Sequence, residues 1–186
     1  LYNNTSGGSN TAIGMSALQA NTTASNNTAV GYQAGYSGTT ATQSVIMGYQ
    51  AGYTNSTGAS NTLIGNQAGY NVTSSNNTFV GISSGSQITS GAKNTIIGGY
   101  NGNVGGLDIR TANNYIVLSD GDGNPRLYYD NSGNRSTYCL GTSAGVKPAY
   151  DCRAWVYFDG TTSPPTIKAS GNVSSVTKSS SGLYTI

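Results

Sequence analysis

The chain has 186 residues, no His and no Glu; 8 basic and 6 acidic side chains give a formal net charge of +2, and Gly, Ser, Thr and Asn make up about half of it. Without His there is no Ser-His or Cys-His nucleophile pair and no His-ligated zinc; without clustered Lys and Arg there is no electrostatic footprint for a nucleic acid; without a run of about 18 apolar residues there is no membrane-spanning helix. A polar, nearly uncharged chain with 14 Tyr fits an all-β surface or fibrous protein, and no cofactor is expected.

The charge divides the chain. No charged residue precedes Lys93. The neutral part is a repeat: Asn10-Thr-Ala-Ile-Gly14, Asn27-Thr-Ala-Val-Gly31, Ser44-Val-Ile-Met-Gly48, Asn61-Thr-Leu-Ile-Gly65, Asn77-Thr-Phe-Val-Gly81 and Asn94-Thr-Ile-Ile-Gly98 align. The closing glycines Gly14, Gly31, Gly48, Gly65, Gly81 and Gly98 are spaced 17, 17, 17, 16 and 17 residues apart. The apolar, partly β-branched Thr-X-X-Gly piece reads as a strand. The Tyr-Gln-Ala-Gly-Tyr piece after it reads as a second short strand, and the polar remainder as a turn.

A 17-residue unit cannot bury an apolar face alone and must stack on its neighbours, so residues 1–104 are expected to form a parallel β-solenoid of about six coils. Stacking places Ile13, Val30, Met47, Ile64, Val80 and Ile97 in one ladder. Asn10, Asn27, Asn61, Asn77 and Asn94 form another, expected to bond amide to amide along the axis. So thin a solenoid is expected to associate laterally, packing its small Ala/Gly face (Ala34, Ala51) on copies of itself.

The segment Asn27-Thr-Ala-Val-Gly-Tyr-Gln-Ala-Gly-Tyr36 and its copies resemble the repeats of phage tail-fibre proteins, especially of marine phages. They are more loosely similar to the heads of trimeric autotransporter adhesins. The resemblance covers about residues 10–104 and implies a left-handed β-roll built as a homotrimer. It also implies a place in the virion, at its outer surface, with other fibre or tail proteins and a host-surface glycan or protein as partners.

Residues 105–135 read as a hairpin connector. Asn114-Tyr-Ile-Val-Leu-Ser119 and Arg126-Leu-Tyr-Tyr-Asp130 are strands about the turn Asp120-Gly-Asp-Gly-Asn-Pro125. The run from Leu118 to Arg126 resembles an element that follows the repeats in the same phage fibres. Asp120, Asp122 and Asn124 have the opening spacing of a calcium loop, but Pro125 and Asn131 stand where that loop needs Gly and Glu, so a polar turn is expected and no metal.

Residues 136–186 read as a small β module. Its strands are Ala154-Trp-Val-Tyr-Phe-Asp-Gly160 and Ile167–Val176, separated by a loop at 161–165. Cys152-Arg-Ala-Trp-Val-Tyr-Phe-Asp-Gly160 resembles the start of a C-terminal module of marine phage tail proteins. In that family the pattern runs on past Leu183-Tyr-Thr-Ile186, so this is expected to be part of a longer fibre. Cys139 and Cys152 are the only cysteines. They would close a disulfide in a secreted chain and stay free thiols in a phage protein folded in a reducing cytoplasm.

A polysaccharide-cleaving site needs two carboxylates about 5–9.5 Å apart. The repeat offers none before Asp108, leaving Asp108, Asp120, Asp122 and Asp130 in turns and transitions. Catalysis is therefore not expected. Tyr36, Tyr53 and Tyr70, with Tyr32 and Tyr49, recur at fixed offsets. They either stack on sugars, with Asn and Gln supplying hydrogen bonds, or pack between coils or subunits. The expected function is a non-enzymatic fibre segment that contacts the host surface. A bacterial surface adhesin or filament subunit is the alternative, and an ice-binding solenoid with a Thr11, Thr28, Thr62, Thr78, Thr95 ladder is a third reading.

Overall fold

The computed structural model describes residues 1–133 with their side chains, and beyond them the backbone of 135–137, 155–159, 166–171, 177–180 and 183–185. Among these residues there is no α-helix, hence none long and apolar enough to cross a membrane. The chain divides into two compact units, Leu1–Pro148 and Ala149–Ile186.

The first unit is a parallel β-solenoid. Six three-residue strands, β1 (Thr11–Ile13), β2 (Thr28–Val30), β3 (Val45–Met47), β4 (Thr62–Ile64), β5 (Thr78–Val80) and β6 (Thr95–Ile97), pair in sequence order. The repeat sets their register: Thr11 faces Thr28, Ala12 faces Ala29 and Ile13 faces Val30, and so on down the sheet. The 16-residue step between Thr62 and Thr78 leaves the pairing intact, because the missing residue comes from the outer turn between Gly69 and Asn77.

Each coil has one strand, not the two expected. Tyr-Gln-Ala-Gly-Tyr is a run of turns, because two of its residues sit at positive φ, as at Gln33 (53°) and Gly35 (62°). Neighbouring coils still hydrogen-bond through it: Gln33 N–H donates to Met15 O, Gly35 N–H to Ala51 O and Ser37 N–H to Tyr53 O. A further corner precedes each strand at a non-Gly residue of positive φ, from Ser9 and Asn26 through Lys93. This conformation is disfavoured for side-chain-bearing residues, and no signal in the sequence marked it.

The central strand residue points inward. Ala29, Ile46, Leu63, Phe79 and Ile96 are buried, facing Ala17, Ala34, Ala51, Ala68 and Ser84 across a narrow core. Volumes are complementary along the axis. In the first coils a large Leu18 lies on the arc opposite small Ala12 and Ala29. From the second coil on the arc has Gly instead, and from the third the strand residue is large; a Cβ on Gly52 would lie 2.9 Å from Leu63 Cδ1. Such matching lets large and small side chains interdigitate across so thin an interior.

The sheet does not stop at the expected boundary of 104/105. A small hairpin, β7 (Asn103–Val104) with β8 (Leu107–Asp108), is inserted in the coil after β6. The chain then rejoins as β9 (Ile116–Ser119), parallel to β6 with Thr95 facing Ile116. Tyr100, Ile109 and Val117 extend the core across the insertion. The Tyr100 hydroxyl donates to Leu107 O at 2.7 Å. Lengthening this coil hid its rung from a 17-residue period. Strand β10 (Pro125–Tyr129) then adds antiparallel to β9, as the hairpin reading expected, and β11 (Arg135–Thr137), which that reading did not include, adds antiparallel to β10, completing a nine-stranded sheet.

In the second unit, β12 (Trp155–Asp159) pairs antiparallel with β13 (Thr166–Gly171). Likewise β14 (Thr177–Ser180) pairs with β15 (Leu183–Thr185). Cys139 and Cys152 lie outside the described residues.

Candidate functional site

Repetition of the arc lays Tyr and Gln side chains in columns parallel to the solenoid axis. The rings of Tyr36, Tyr53 and Tyr70 stack with centroids 5.0 and 5.1 Å apart and planes within 9° and 6°. Tyr32 and Tyr49 stack at 5.4 Å. Between these columns in sequence, Gln50 Nε2 donates to Gln33 Oε1 at 2.8 Å and Gln67 Nε2 to Gln50 Oε1 at 3.4 Å. The rings do pack between coils, and both faces of Tyr53 are covered by its neighbours. The columns therefore offer ring edges and hydroxyls outward more than ring faces. Tyr32 and Tyr49 are exposed and Tyr36, Tyr53 and Tyr70 half-buried. Desolvation, and next the phenols of Tyr36, Tyr70 and Tyr32, push the Tyr53 hydroxyl above its ordinary range, so it stays a neutral donor. The Gln ladder was not singled out in the sequence, although Gln recurs at one offset in three successive copies.

The Asn and Gly columns hold the frame. A Cβ on Gly31, Gly48, Gly65 or Gly81 would be driven into the carbonyl oxygen of the next glycine in the column, and each has φ between 132° and 137°. The Asn ladder bonds to the main chain and not, as expected, amide to amide. Asn61 Oδ1 accepts from Asn77 N–H at 2.8 Å and Asn77 Oδ1 from Asn94 N–H at 2.9 Å. Asn27, Asn61 and Asn94 turn Nδ2 to the carbonyls of Ala41, Ser74 and Ala112. Main-chain groups at the corner before each strand need partners, and a buried Asn supplies both at once.

The Ala/Gly face expected to meet other copies is not a surface. Ala34, Ala51 and Ala68 have 0% exposure within their own coil. The corner residues turn this segment inward, which the linear pattern did not show. The strand face carries the outward rows instead. The expected ladder of Ile13, Val30, Met47, Ile64, Val80 and Ile97 forms in register on this side, with Ile13 60% and Met47 42% exposed. The Thr row runs beside it, broken by Val45, and Ile116 and Leu118 continue the two rows on β9.

The acidic turn is closed on itself. Asp120 Oδ1 accepts from the main-chain N–H of Asp122 and Asn124, and Oδ2 pairs with the Arg126 guanidinium. The Asn124 N–H bond, foremost, holds the Asp120 carboxyl below its usual range. Asp108 is lowered likewise, chiefly by the Arg110 side chain at 2.7 Å. Among the described residues no group of three or more metal-ligating side chains gathers.

No family model matches the chain, and no curated protein or solved structure is significantly similar to it. The fold and the columns are therefore what the function must be read from.

Proposed function

We propose that this chain is a non-enzymatic segment of a phage tail fibre that contacts the host surface, working as a homotrimer among other tail proteins of the virion. The observation that carries the reading is the solenoid: a rod about 29 Å long from β1 to β9, uncharged up to Lys93, that repeats its polar side chains coil after coil and its Tyr and Gln columns over the second to fourth coils. Binding by a regular surface is what such a rod does well, because several weak contacts add along one chain and again over several copies. The carboxylates of Asp108 and Asp120 are committed to ion pairs, which favours binding over catalysis. Self-association falls to the outward strand face, whose aliphatic row is the broad unpartnered apolar strip of the solenoid.

Purified chain, incubated with host cells, should bind them and lower phage adsorption in proportion to occupancy. Folded chain that neither binds nor blocks would reduce this segment to a spacer and overturn the receptor-contact reading.

A further inference from the structure

We infer that the Tyr and Gln columns form a track for an extended, uncharged β-1,4-linked polysaccharide lying along the solenoid axis, one sugar per coil. The inference rests on the host-surface reading and names the ligand class of that surface.

Period is the first argument. The Tyr36, Tyr53 and Tyr70 rings repeat at 5.0 and 5.1 Å because the coils repeat at the strand spacing. An extended β-1,4-linked glycan advances by nearly the same rise per sugar, so one sugar falls on each coil; successive sugars are turned over, and alternate sugars therefore present the same edge to the columns. An α-1,4-linked glucan coils and loses register within a few sugars.

Chemistry is the second. Gln50 uses one Nε2 hydrogen on Gln33 and accepts at Oε1 from Gln67. A primary amide has two donors and two lone pairs. One of each therefore remains per rung, matching a hydroxyl that both donates and accepts. Three residues further along the same arc, Tyr36, Tyr53 and Tyr70 add a hydroxyl per coil.

Charge is the third. No charged residue lies between Leu1 and Ala92, so an anionic polysaccharide would be desolvated here without a cation to offset the loss. Rigidity is the fourth. Main-chain bonds such as Gln50 N–H to Tyr32 O and Gln67 N–H to Tyr49 O fix the columns before any ligand arrives, limiting the ordering cost of binding.

The track has ends. At the Tyr36 offset the column begins after Gln19 and stops at Ser86, so the Tyr36 and Gln33 columns run through three coils, while the Tyr32 column runs through two and gives way to Asn66. Affinity should thus rise from a disaccharide to about three sugars and then level off.

The test is titration calorimetry of the full chain with cello- and chito-oligosaccharides of two to six sugars, maltohexaose, and an oligomannuronate as the charged β-1,4-linked control. Tyr53→Phe, which keeps the ring stack, and Gln50→Ala are compared by the same titration, with circular dichroism confirming the fold. Expected are binding of the neutral β-1,4-linked series, at least tenfold weaker binding of maltohexaose and oligomannuronate, and about a fivefold loss in each variant, the scale of one hydrogen bond. Host-cell binding without binding of any neutral β-1,4-linked glycan overturns this inference and leaves the host-surface reading standing. Loss of both overturns both. Equal binding of maltohexaose, or unchanged affinity in both folded variants, removes the track as the site.

Discussion

Single residues carry the solenoid at two columns, for different reasons. The strand-end glycines are fixed by space as well as by φ: Gly48, at 135°, lies against the Gly65 carbonyl. Gly48→Ala should destabilise by at least about 2 kcal/mol, from left-handed strain plus displacement of the neighbouring coil. Gly121→Ala, where an added Cβ meets nothing within 4 Å, should be near neutral. Urea midpoints of the two variants decide this. The Asn column is fixed by hydrogen bonds. Asn61→Ala would strand both the Asn77 N–H and the Ser74 carbonyl, one bonded to Oδ1 and the other to Nδ2. With Asn61 1% exposed, the loss should be about 2–4 kcal/mol by the same measurement, at one to two per orphaned group. Both columns were legible in the sequence as recurring letters. The partner of each Asn was not, because the pattern fixes which residues align between coils but not whether a side chain turns to its copy or to the main chain.

At the scale of the element, strand and arc were unequally legible. The strands showed themselves through β-branched residues beside a Gly, and the alignment of copies gave the register. The arc misled, since Tyr-Gln-Ala-Gly-Tyr has strand-like letters while Gln33 and Gly35 reverse the chain. Once it is a turn, its alanines fall inside and its tyrosines stack, neither of which a linear pattern displays. The stack has a consequence for pH. Tyr53 is raised above its normal value in the fold, so its contribution to stability is whole below the unfolded value, about 10, and is lost as pH climbs through the folded one. Ionising neighbouring phenols 5.0 Å apart adds repulsion in the same direction. Urea midpoints should therefore fall above about pH 10. The fall should be smaller in a Tyr36→Phe, Tyr53→Phe, Tyr70→Phe variant that keeps the rings.

For the whole molecule, composition was a poor guide to boundaries. Charge begins at Lys93, yet the parallel sheet passes through β6 to β9 and accepts β10 and β11 at its end. The alanines expected at a contact face are buried within the chain, which moves the proposed contact to the strand side. Assembly is therefore tested at Met47 and not at the alanines. Met47→Asp places a charge on a side chain 42% exposed in the single chain. It should leave the circular dichroism spectrum intact while shifting sedimentation from trimer to monomer. Ala51→Asp buries an unpaired charge inside one coil and should unfold the chain whatever its assembly. Wild-type chain that sediments as a folded monomer at micromolar concentration would refute the trimer.

The hairpin lodged between β6 and β9 shows how length is tolerated in this architecture. From Gly98 to Ser119 the chain takes 21 residues where other coils take 16 or 17, and the next strand still docks in register. Strand, arc and outer turn are all bonded to the coils on either side, as Thr39 N–H is to Ser56 O, and the inserted hairpin leaves those bonds in place: Thr89 N–H still donates to Arg110 O. New segments can thus be spliced into the turns one at a time, as side branches on a rail, with the interior unchanged. Variation in what the rod touches is separable from conservation of what holds it together, and peptide grafts at the exposed hairpin turn of residues 105–106 offer a direct way to use that separation.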